Sequence, residues 1–456
     1  MYTRKLAEEI QKLNYENLPK EVIQRAKEAI LDTIGVTLAG SKSDSADILN
    51  DFVEGIGGRK ESTIIGKNRR NSSVNAALVN SATGHVLDYD DVSWSIIGHP
   101  AVVTLFPALA LSEVIKASGK ELLTAFVAGY ETVASIGRGL VPDFNEKGWH
   151  STATIGSFGA AAAACKIYSC NVEETIRALG VVGSLASGVK GNMGTMTKHL
   201  QVGRAASNGI TAALLAKRGY TASEKILEGK DGFCSVFAPK YDLDKMVESF
   251  GNPFDLVSGG AIFKKWPSCY STHPCIEAVT TLAEENNLSP EQVEKIDIGS
   301  TPLVLDVLFY DEPKTGFEGK FSDQFCAAVS IVKRKAYIEE FSDQVVNDPV
   351  IRDLMKKVTL STDPELSKSG YILSSEEGPT KTRVTITLKN GRKLFKEVSI
   401  AKGAPERRLS EEEVIDKYRN CAALVLKKGG VNQSIDLIRN TEKMDSVLPL
   451  IDILKG

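Results

Sequence analysis

The chain has 456 residues, of which 42% are hydrophobic and 25% are charged, and its formal net charge is −3. This composition is typical of a globular protein with two domains, and it excludes a largely disordered chain. The small negative charge and the lack of a basic stripe argue against a nucleic-acid partner. There is no apolar run of about 18 residues and no apolar core in the first residues, so we expect a cytoplasmic protein without a membrane partner.

The cysteines are scattered along the chain and include no Cys-x-x-Cys pair. An odd number without paired spacing is typical of reduced thiols in the cytosol rather than of a disulfide framework. The same spacing argues against a structural zinc site. The seven positions are Cys165, Cys170, Cys234, Cys269, Cys275, Cys326 and Cys421.

Helical spacing dominates the first half of the chain. Apolar residues recur at i, i+4, i+7 and i+8 from Val22 to Ile34, after a plausible helix start at Pro19. Residues 101–118 are nearly all apolar, and Pro107 within them predicts a kink. Two further helices, rich in small residues, are predicted at 151–168 and 203–218.

The pattern changes near Lys264. We predict a helix at 272–285, a strand at 293–299, and a hairpin of strands 382–388 and 393–400 around Asn390-Gly391. Strands are also expected among the helices at 321–334 and 350–357, and helix returns at 410–427. The simplest organisation is two consecutive domains with a helical tail. We favour a tail that packs back on the first domain, which makes the α+β part an insertion.

Histidines and carboxylates are concentrated in one segment. The chain has only five histidines, and residues 84–107 contain two of them, His85 and His99, with Asp88, Asp90 and Asp91 between them. A carboxylate here can orient or charge a histidine in a proton-transfer site. The alternatives are a metal site, for which further ligands are not convincingly spaced, and a capping or solvated acidic turn.

Two histidines directly precede predicted helices. His99 stands before Pro100 and an apolar helix, and His150 stands before Ser151 and a helix of small residues. A helix N-terminus favours neutral imidazole and attracts anions. Burial in the core is the alternative explanation for each histidine.

Lysines and a thiol complete the candidates. Lys198 lies in a glycine-containing segment that we expect to be a flexible loop reaching an anionic substrate, or else a plain connection between helices. Lys264 stands where the sequence character changes, a suitable place for a cleft, although paired lysines are usually solvated. Cys269 is followed at i+4 by His273, so a thiol nucleophile with a histidine base is conceivable.

Seven segments taken together resemble the MmgE/PrpD family. They follow the family order from one end of the chain to the other, and their combination is far more specific than any one of them. They are LAEEIQKLNYENLPKEVIQRAKEAILDTIGVTLAG, GHVLDYDDV with HPAVVTLFPALALSE, GWHSTATIGSFGAAAAA, TKHLQVGRAASNG, KKWPSCYSTHP, GKFSDQF and KGAPERRLS.

The resemblance implies a mainly α fold: a large all-helical domain of residues 1–265 plus 404–456, and a smaller inserted α+β lid domain of residues 266–403. It also implies a homodimer, a small polycarboxylate substrate in the cleft between the domains, and no metal or organic cofactor. The functional positions of the family's cis-aconitate decarboxylases correspond to Asp88, His99, His150, Lys198 and Lys264. Polar residues of those enzymes correspond here to Val92, Cys269 and Phe325.

These correspondences give each candidate a role. We expect His150 to transfer a proton with His99 as its partner, and Asp88 to orient or charge one of them. Lys198 and Lys264 would bind substrate carboxylates. The remaining substrate contacts are expected from Cys269 and His273.

The sequence therefore predicts a cofactor-free lyase, most simply a hydro-lyase of the 2-methylcitrate dehydratase type. The alternatives are a cis-aconitate decarboxylase, an epimerase of an iminodisuccinate-like dicarboxylate, and a carboxylate-binding homologue without activity. Dehydration, decarboxylation and epimerisation all build negative charge next to a carboxylate, so each needs fixed cations and a positioned proton carrier.

Overall fold

The computed structural model describes residues 1–366 and 380–456. It is 59% helix and 9% strand, which confirms the predicted mainly α fold. The first helices in chain order are α1 (Tyr2–Lys12), α2 (Lys20–Gly40), α3 (Asp44–Ile56), α4 (Ser73–His85), α5 (Pro100–Ile115), α6 (Gly119–Arg138), α7 (Asp143–Glu146), α8 (Ser151–Ile167), α9 (Val172–Leu185), α10 (Met196–Lys217), α11 (Phe233–Phe237) and α12 (Leu243–Glu248).

The second half of the chain mixes helices with strands. Its helices are α13 (His273–Glu285), α14 (Pro302–Val307), α15 (Gly316–Gly319), α16 (Asp323–Lys333), α17 (Asp343–Val346), α18 (Pro349–Met355), α19 (Glu411–Ala422), α20 (Lys428–Arg439) and α21 (Leu448–Leu454). The strands of the whole described chain are β1 (Ser62–Ile64), β2 (Arg69–Asn71), β3 (Val293–Ser300), β4 (Val358–Thr362), β5 (Thr382–Leu388) and β6 (Lys393–Val398).

The larger hydrophobic core joins both ends of the sequence. It contains apolar residues from Leu6 to Phe263 and then again from Leu409 to Leu454. Tyr418 of α19 is fully buried against α2, where Gly35 leaves room for its ring. The C-terminal helices therefore pack on the first half, as predicted for the tail. Strands β1 and β2 form a short antiparallel ribbon in this part of the chain, which was predicted to be all-helical.

A separate core lies in the insertion. It is built mainly from residues between Trp266 and Ala404, including Phe325 and Ile296. The sheet has the order β4-β3-β5-β6, in which β3 and β4 are parallel and the other pairs are antiparallel. The predicted hairpin at Asn390-Gly391 is confirmed, and Gly391 has the positive φ of 83° that its turn requires.

The glycine-containing segment around Lys198 differs from its prediction. It is the first turn of α10, with Thr195 as the N-cap, and not a flexible loop. A side chain at Gly203 would collide with the carbonyl of Leu78 in α4, and one at Gly209 would collide with Ala160 in α8. These glycines therefore allow close helix packing, which holds Lys198 on a rigid element. Within the parts of the chain described here, no helix is long and apolar enough to cross a bilayer.

Candidate active site

Asp88 lies at the centre of the site, in the turn that follows α4. Its φ is 51°, a conformation that few residues other than glycine adopt. Its Oδ2 accepts from Lys198 Nζ at 2.8 Å, and its Oδ1 is paired with Lys264 Nζ. Lys264 Nζ also donates to the Asp88 carbonyl at 2.8 Å. Two cations from distant parts of the chain thus hold one carboxylate on both oxygens.

The charges explain why this aspartate is ionised although it is buried. Burial alone would raise the pKa of Asp88, but Lys198 and Lys264 hold that pKa well below its usual range. Lys264 is 0% exposed, so its ammonium depends on Asp88 for compensation. The three charges sum to +1, which leaves a net positive centre for an anionic ligand.

Two histidines adjoin this centre from helix N-termini. His99 is the N-cap of α5 and His150 is the N-cap of α8, as their sequence positions predicted. The Nε2 atom of His99 lies 3.8 Å from Asp88 Oδ1. Both imidazoles are buried, and burial lowers the pKa of His99 well below its usual value. Both rings are therefore neutral at pH 7 in the unliganded protein.

The hydrogen bonds of His150 indicate its tautomer. Gln201 donates through Nε2 to the Val189 carbonyl, so its Oε1 accepts from His150 Nδ1 at 2.8 Å. This leaves the His150 Nε2 lone pair free to accept a proton, which the resulting imidazolium can then donate. Burial, reinforced by the charge of Lys198, lowers the pKa of His150 to about 4.

A third histidine stands behind the first two. His85 Nδ1 is bonded to both oxygens of Asp90, at 2.8 and 3.0 Å, and its ring lies edge-on to His99 with centroids 4.4 Å apart. His99 Nδ1 is 3.4 Å from Asp90 without a hydrogen bond. Asp90 thus lies between two imidazoles and fixes the orientation of His85.

His85, Asp90 and His99 can also be considered as metal ligands, since their ligand atoms lie within 4.8 Å of one another. Two histidines and a carboxylate suit iron and similar ions. However, the bidentate bond from His85 already occupies Asp90. Burial, reinforced by the charges of Lys198 and Lys264, lowers the pKa of His85, and the same two charges oppose a further cation. The donor set therefore fits a hydrogen-bonded His85–Asp90 pair better than a metal.

Asp91 has a structural role. Its Oδ1 accepts from the Ala101 backbone at 3.1 Å and its Oδ2 accepts from the Tyr130 hydroxyl at 2.9 Å. The three carboxylates of the segment therefore have different roles. Asp91 is the capping residue, whereas Asp88 and Asp90 face the lysines and histidines.

A cavity of about 560 Å³ opens beside these groups. We call Asp88, His99, His150, Lys198 and Lys264 the polar pole, because all five line one cavity. Cys269 lines it as well. The other lining residues are Val92, Trp94, Ile97, Gly98, Pro142, Asn145, Glu146, Trp149, Ser151, Thr152, Lys190, Met193, Tyr270, Ser271, Leu303, Asp306, Val307, Phe309 and Phe321.

Two residues named from the sequence lie away from the cavity. His273 is fully buried, with Nε2 bonded to the Trp266 carbonyl at 3.1 Å, and it is not among the lining residues. The i+4 spacing from Cys269 spans a 3₁₀ turn instead of one helix face, so the two side chains are not placed together on the cavity. Phe325 is packed against Phe341 in the second core and does not line the cavity either.

Lys320 is a site residue that the sequence reasoning missed. Its buried ammonium donates to the carbonyls of Leu87 at 2.7 Å and Pro267 at 2.8 Å, one beside Asp88 and the other between Lys264 and Cys269. Burial lowers the pKa of Lys320 to about 7. Lys320 belongs to the segment GKFSDQF, but the residues of that segment do not indicate which backbone carbonyls its side chain binds.

The loop of residues 93–98 that lines the cavity is anchored from outside. Asp255 accepts from Ser93 Oγ at 2.8 Å and from Arg138 at 2.8 Å. The Asp255 amide in turn donates to Glu131 at 2.8 Å. Burial, with a contribution from the charge of Asp255, raises the pKa of Glu131 to about 8.

We expect this anchor to make stability depend on pH. The folded-state pKa of Glu131 exceeds the unfolded value of 4.5, so its contribution is complete below pH 4.5 and is lost as pH rises through about 8. Between pH 6 and 8.5 the free energy of unfolding of the wild type should fall by about 2 kcal/mol more than that of Glu131→Gln. Urea unfolding at the two pH values measures the difference, and parallel losses in both proteins would contradict the assignment.

Comparisons with known proteins agree with this architecture. The MmgE/PrpD N-terminal domain model matches residues 4–246, and the MmgE/PrpD C-terminal domain model matches residues 266–443. The chain is similar to cis-aconitate decarboxylase of Homo sapiens, with 28% identity over 465 residues covering 100% of this chain and 94% of the relative. The Aspergillus terreus enzyme of the same name is 26% identical, covering 96% of this chain and 93% of the relative.

Another relative of nearly full length is the cis-aconitate decarboxylase-like protein oryM of Aspergillus oryzae. It is 25% identical, covering 100% of this chain and 97% of the relative. The family models span both the helical part and the insertion, and together they include every residue of the polar pole except Lys264, which lies between them. The chain is a member of the MmgE/PrpD family.

Proposed function

We propose that this protein is a carboxy-lyase that removes carbon dioxide from cis-aconitate or a close derivative of it. The observation that carries the proposal is the polar pole: two buried lysines, one ionised aspartate and two neutral histidines on one cavity. The relatives named as cis-aconitate decarboxylases support this activity over the dehydratase expected from the sequence.

The chemistry needs a cationic site and one proton. In cis-aconitate a carboxymethyl group adjoins the carbon–carbon double bond. When its C–CO₂ bond breaks, the electron pair forms a new double bond, and the old double bond takes a proton at its other carbon. Charge builds up on carbon during this shift, so nearby fixed cations stabilise the transition state. Lys198 and Lys264 fill that role, sharing their charge between Asp88 and the substrate.

His150 is our proton donor. Its free Nε2 has a low pKa in the empty site, and an anionic substrate raises that pKa because opposite charge favours the imidazolium. His99 is the second candidate, positioned by its approach to Asp88 and Asp90. His85 packs edge-on against His99 and does not line the cavity.

One observation keeps a hydro-lyase of the 2-methylcitrate dehydratase type as the second candidate. Val92 and Cys269 both line the cavity, and they correspond to polar residues of the family's decarboxylases. With these two polar contacts missing, the cavity is as suitable for a related carboxylate as it is for cis-aconitate. Both reactions use the same cations and the same proton carrier.

Proton NMR in deuterated buffer distinguishes the activities. The panel is cis-aconitate, citrate, 2-methylcitrate and iminodisuccinate. The decarboxylase consumes cis-aconitate and forms a product with a new terminal alkene and one deuterium. New vinyl signals from a hydroxy acid would establish the hydro-lyase instead, and α-deuterium exchange alone would establish an epimerase. Binding without turnover of any member would leave a carboxylate-binding protein.

The thiol of Cys269 should not titrate in the working pH range. Burial and the charge of Asp88 raise the pKa of this thiol, which therefore remains protonated. We expect Cys269→Ala to change kcat/KM by less than about tenfold, or ~1.4 kcal/mol, without moving the pH profile. The control is Cys234→Ala, whose thiol packs on Met246 away from the cavity. Loss of a limb of the pH–rate profile in Cys269→Ala alone would contradict this expectation.

The remaining properties follow from the family resemblance and the site. We propose two domains, 1–265 with 404–456 and 266–403, in a cytoplasmic homodimer that needs no metal or organic cofactor. Full turnover after dialysis against a chelator would support metal independence. Light scattering of the purified protein measures the oligomeric state.

A further inference from the structure

We propose that Lys320 and Lys417 are positioning residues of the active site, which act by holding the main chain around Asp88 and not by touching the substrate. The inference rests on the proposed function, because it assigns how the lyase keeps its central carboxylate in place. Together with Lys264, these side chains form what we call the carbonyl clamp: three buried lysines that bind three successive main-chain carbonyls.

The lysines of the carbonyl clamp come from three separate parts of the chain. Lys264 stands at the junction of the two cores, Lys320 belongs to the insertion, and Lys417 lies in α19 of the C-terminal tail. Each side chain donates to one carbonyl of residues 87–89. The pairs are Lys320 with Leu87 at 2.7 Å, Lys264 with Asp88 at 2.8 Å, and Lys417 with Tyr89 at 2.7 Å.

Two of these bonds fix the backbone torsions of Asp88. A peptide unit is planar, so the direction of its carbonyl defines the orientation of the whole unit. The Leu87 and Asp88 carbonyls belong to the two peptide units that flank the Asp88 Cα, and the rotations of these units are the φ and ψ of that residue. Its φ of 51° is unfavourable and persists only where the surroundings enforce it. Lys320 and Lys264 supply that enforcement.

Lys417 extends the clamp to the next peptide unit. Its Nζ is paired with Asp32 of α2 at 2.6 Å and lies over the Tyr89 ring, 3.8 Å from the centroid. The Tyr89 hydroxyl also donates to the Lys265 carbonyl at 3.0 Å. The residue directly after the central carboxylate is thus held at its carbonyl, its ring and its hydroxyl.

Lys320 also joins two walls of the cavity. Beyond the Leu87 carbonyl, its Nζ donates to the Pro267 carbonyl at 2.8 Å, and its own carbonyl accepts from the Cys269 amide at 3.0 Å. In the sequence, Pro267 lies between Lys264 and Cys269, which both line the cavity. Lys320 therefore fixes the central carboxylate relative to the segment that carries one of its lysines.

The positions of Lys320 and Lys417 exclude direct contact with a substrate. Their exposed fractions are 4% and 7%, and neither is among the residues that line the cavity. Any effect of these two side chains on turnover therefore passes through the groups they hold, of which Asp88 is the nearest to the reacting substrate.

Substitutions by methionine test the clamp in the full-length protein, because they keep most of the side-chain volume and remove the donor. The variants are Lys320→Met and the double variant Lys417→Met/Asp32→Asn, in which no buried carboxylate loses its ion-pair partner. We expect kcat to fall by about 10²-fold in each, the usual effect of a misplacement of about 1 Å at an active site. KM should stay within about threefold, because the cations that bind the substrate are retained.

The matched control is Lys166→Met. Lys166 Nζ also donates to two main-chain carbonyls, those of Gln11 at 3.2 Å and Leu13 at 2.7 Å, but this side chain does not line the cavity. The control should lower the melting temperature while kcat stays within about threefold of the wild-type value. It thus separates the general loss of a lysine–carbonyl contact from the loss of one at the Asp88 turn.

A spectroscopic readout does not depend on turnover. The chain has only five histidines, and His99 Nε2 lies 3.8 Å from Asp88 Oδ1. The NMR signals of the His99 ring therefore report the position of that carboxylate. In protein with isotope-labelled histidine, we expect these signals to shift in both clamp variants and to stay unchanged in Lys166→Met. The spectrum of His99→Asn assigns them.

The outcomes separate this inference from the proposed function. If the wild type decarboxylates cis-aconitate and the folded clamp variants keep its kcat, the clamp is overturned and the lyase stands. An equal fall of kcat in Lys166→Met would overturn the clamp as well. If the wild type turns over no cis-aconitate, the lyase fails, and the His99 signals decide: shifted signals support the clamp and unchanged signals overturn it. Should one clamp variant not fold, the same measurements on the other decide.

Discussion

Lys264→Met should lower kcat/KM by roughly three orders of magnitude and also destabilise the fold. Lys264 is completely buried, and its ammonium is paired with Asp88 through both the side chain and the backbone carbonyl. Lys198 still compensates the Asp88 charge in this variant, but Oδ1 and the carbonyl oxygen of Asp88 lose their buried donor, which costs about 1–3 kcal/mol. The substrate loses one of its two cations at the same time. Steady-state kinetics and thermal unfolding measure the two effects.

A double variant tests the charge balance of the site. Lys264→Met combined with Asp88→Asn leaves the buried ammonium of Lys198 without its carboxylate partner, so the double variant should be less stable than Lys264→Met alone. It should remain inactive, because the cationic site is still incomplete. The matched control is Lys265→Met, whose half-buried ammonium lies over the Trp266 ring and does not line the cavity. Its kcat/KM should stay within about threefold of the wild-type value. Recovery of turnover in the double variant would contradict the proposed role of Lys264.

His150→Asn should lower kcat by about 10²- to 10⁴-fold, the usual contribution of a positioned proton donor. The donor works from its imidazolium form, and the pKa of His150 in the free protein is about 4. We therefore expect wild-type kcat/KM to fall as pH rises above that value. The limb in kcat should lie at higher pH, since bound substrate raises the pKa of this histidine. Profiles from pH 4 to 9 test both statements.

The control for this variant is His199→Asn. His199 is buried next to Lys198 but is bonded to Ser45 and does not line the substrate cavity. Its substitution should lower stability while leaving both pH limbs in place. A full loss of activity in His199→Asn, with activity retained in His150→Asn, would show that His150 is not the proton donor.

The polar pole shows which features of the site can be predicted from the sequence and which cannot. Lys198 and Lys264 meet Asp88 across 110 and 176 residues of chain. No local pattern predicts such contacts. The family motifs suggested that these residues share one site, but with Asp88 beside a histidine and the lysines on substrate carboxylates. What the local sequence did predict was the setting of each histidine, because Pro100 and Ser151 mark helix starts directly after His99 and His150.

Errors arose where a residue type has two physical uses. The glycines near Lys198 were interpreted as flexibility, yet Gly203 and Gly209 serve the close approach of α10 to α4 and α8. Small residues permit both loops and tight helix contacts, and only the neighbouring helix decides between them. His273 likewise has two possible uses: predicted as a substrate contact, it does not line the cavity, and its Nε2 is bonded to the Trp266 carbonyl.

Buried polar groups bound to main-chain atoms were not predictable. Lys320 binds two carbonyls that come together only when the insertion packs on the Asp88 turn. Asp255 likewise anchors the 93–98 loop through partners on α6 and in the loop itself. A lysine or aspartate in a polar segment normally predicts a solvated side chain. Burial of such a side chain depends on tertiary contacts that a single sequence does not reveal.

The most direct test of the account is the stoichiometry of carbon dioxide release from cis-aconitate by the purified wild-type protein. We predict one carbon dioxide released for each cis-aconitate consumed, with a rate that falls by roughly three orders of magnitude in Lys264→Met and stays near wild type in Lys265→Met. Consumption of cis-aconitate without carbon dioxide, or equal release by Lys264→Met and the wild type, would contradict decarboxylation at the polar pole.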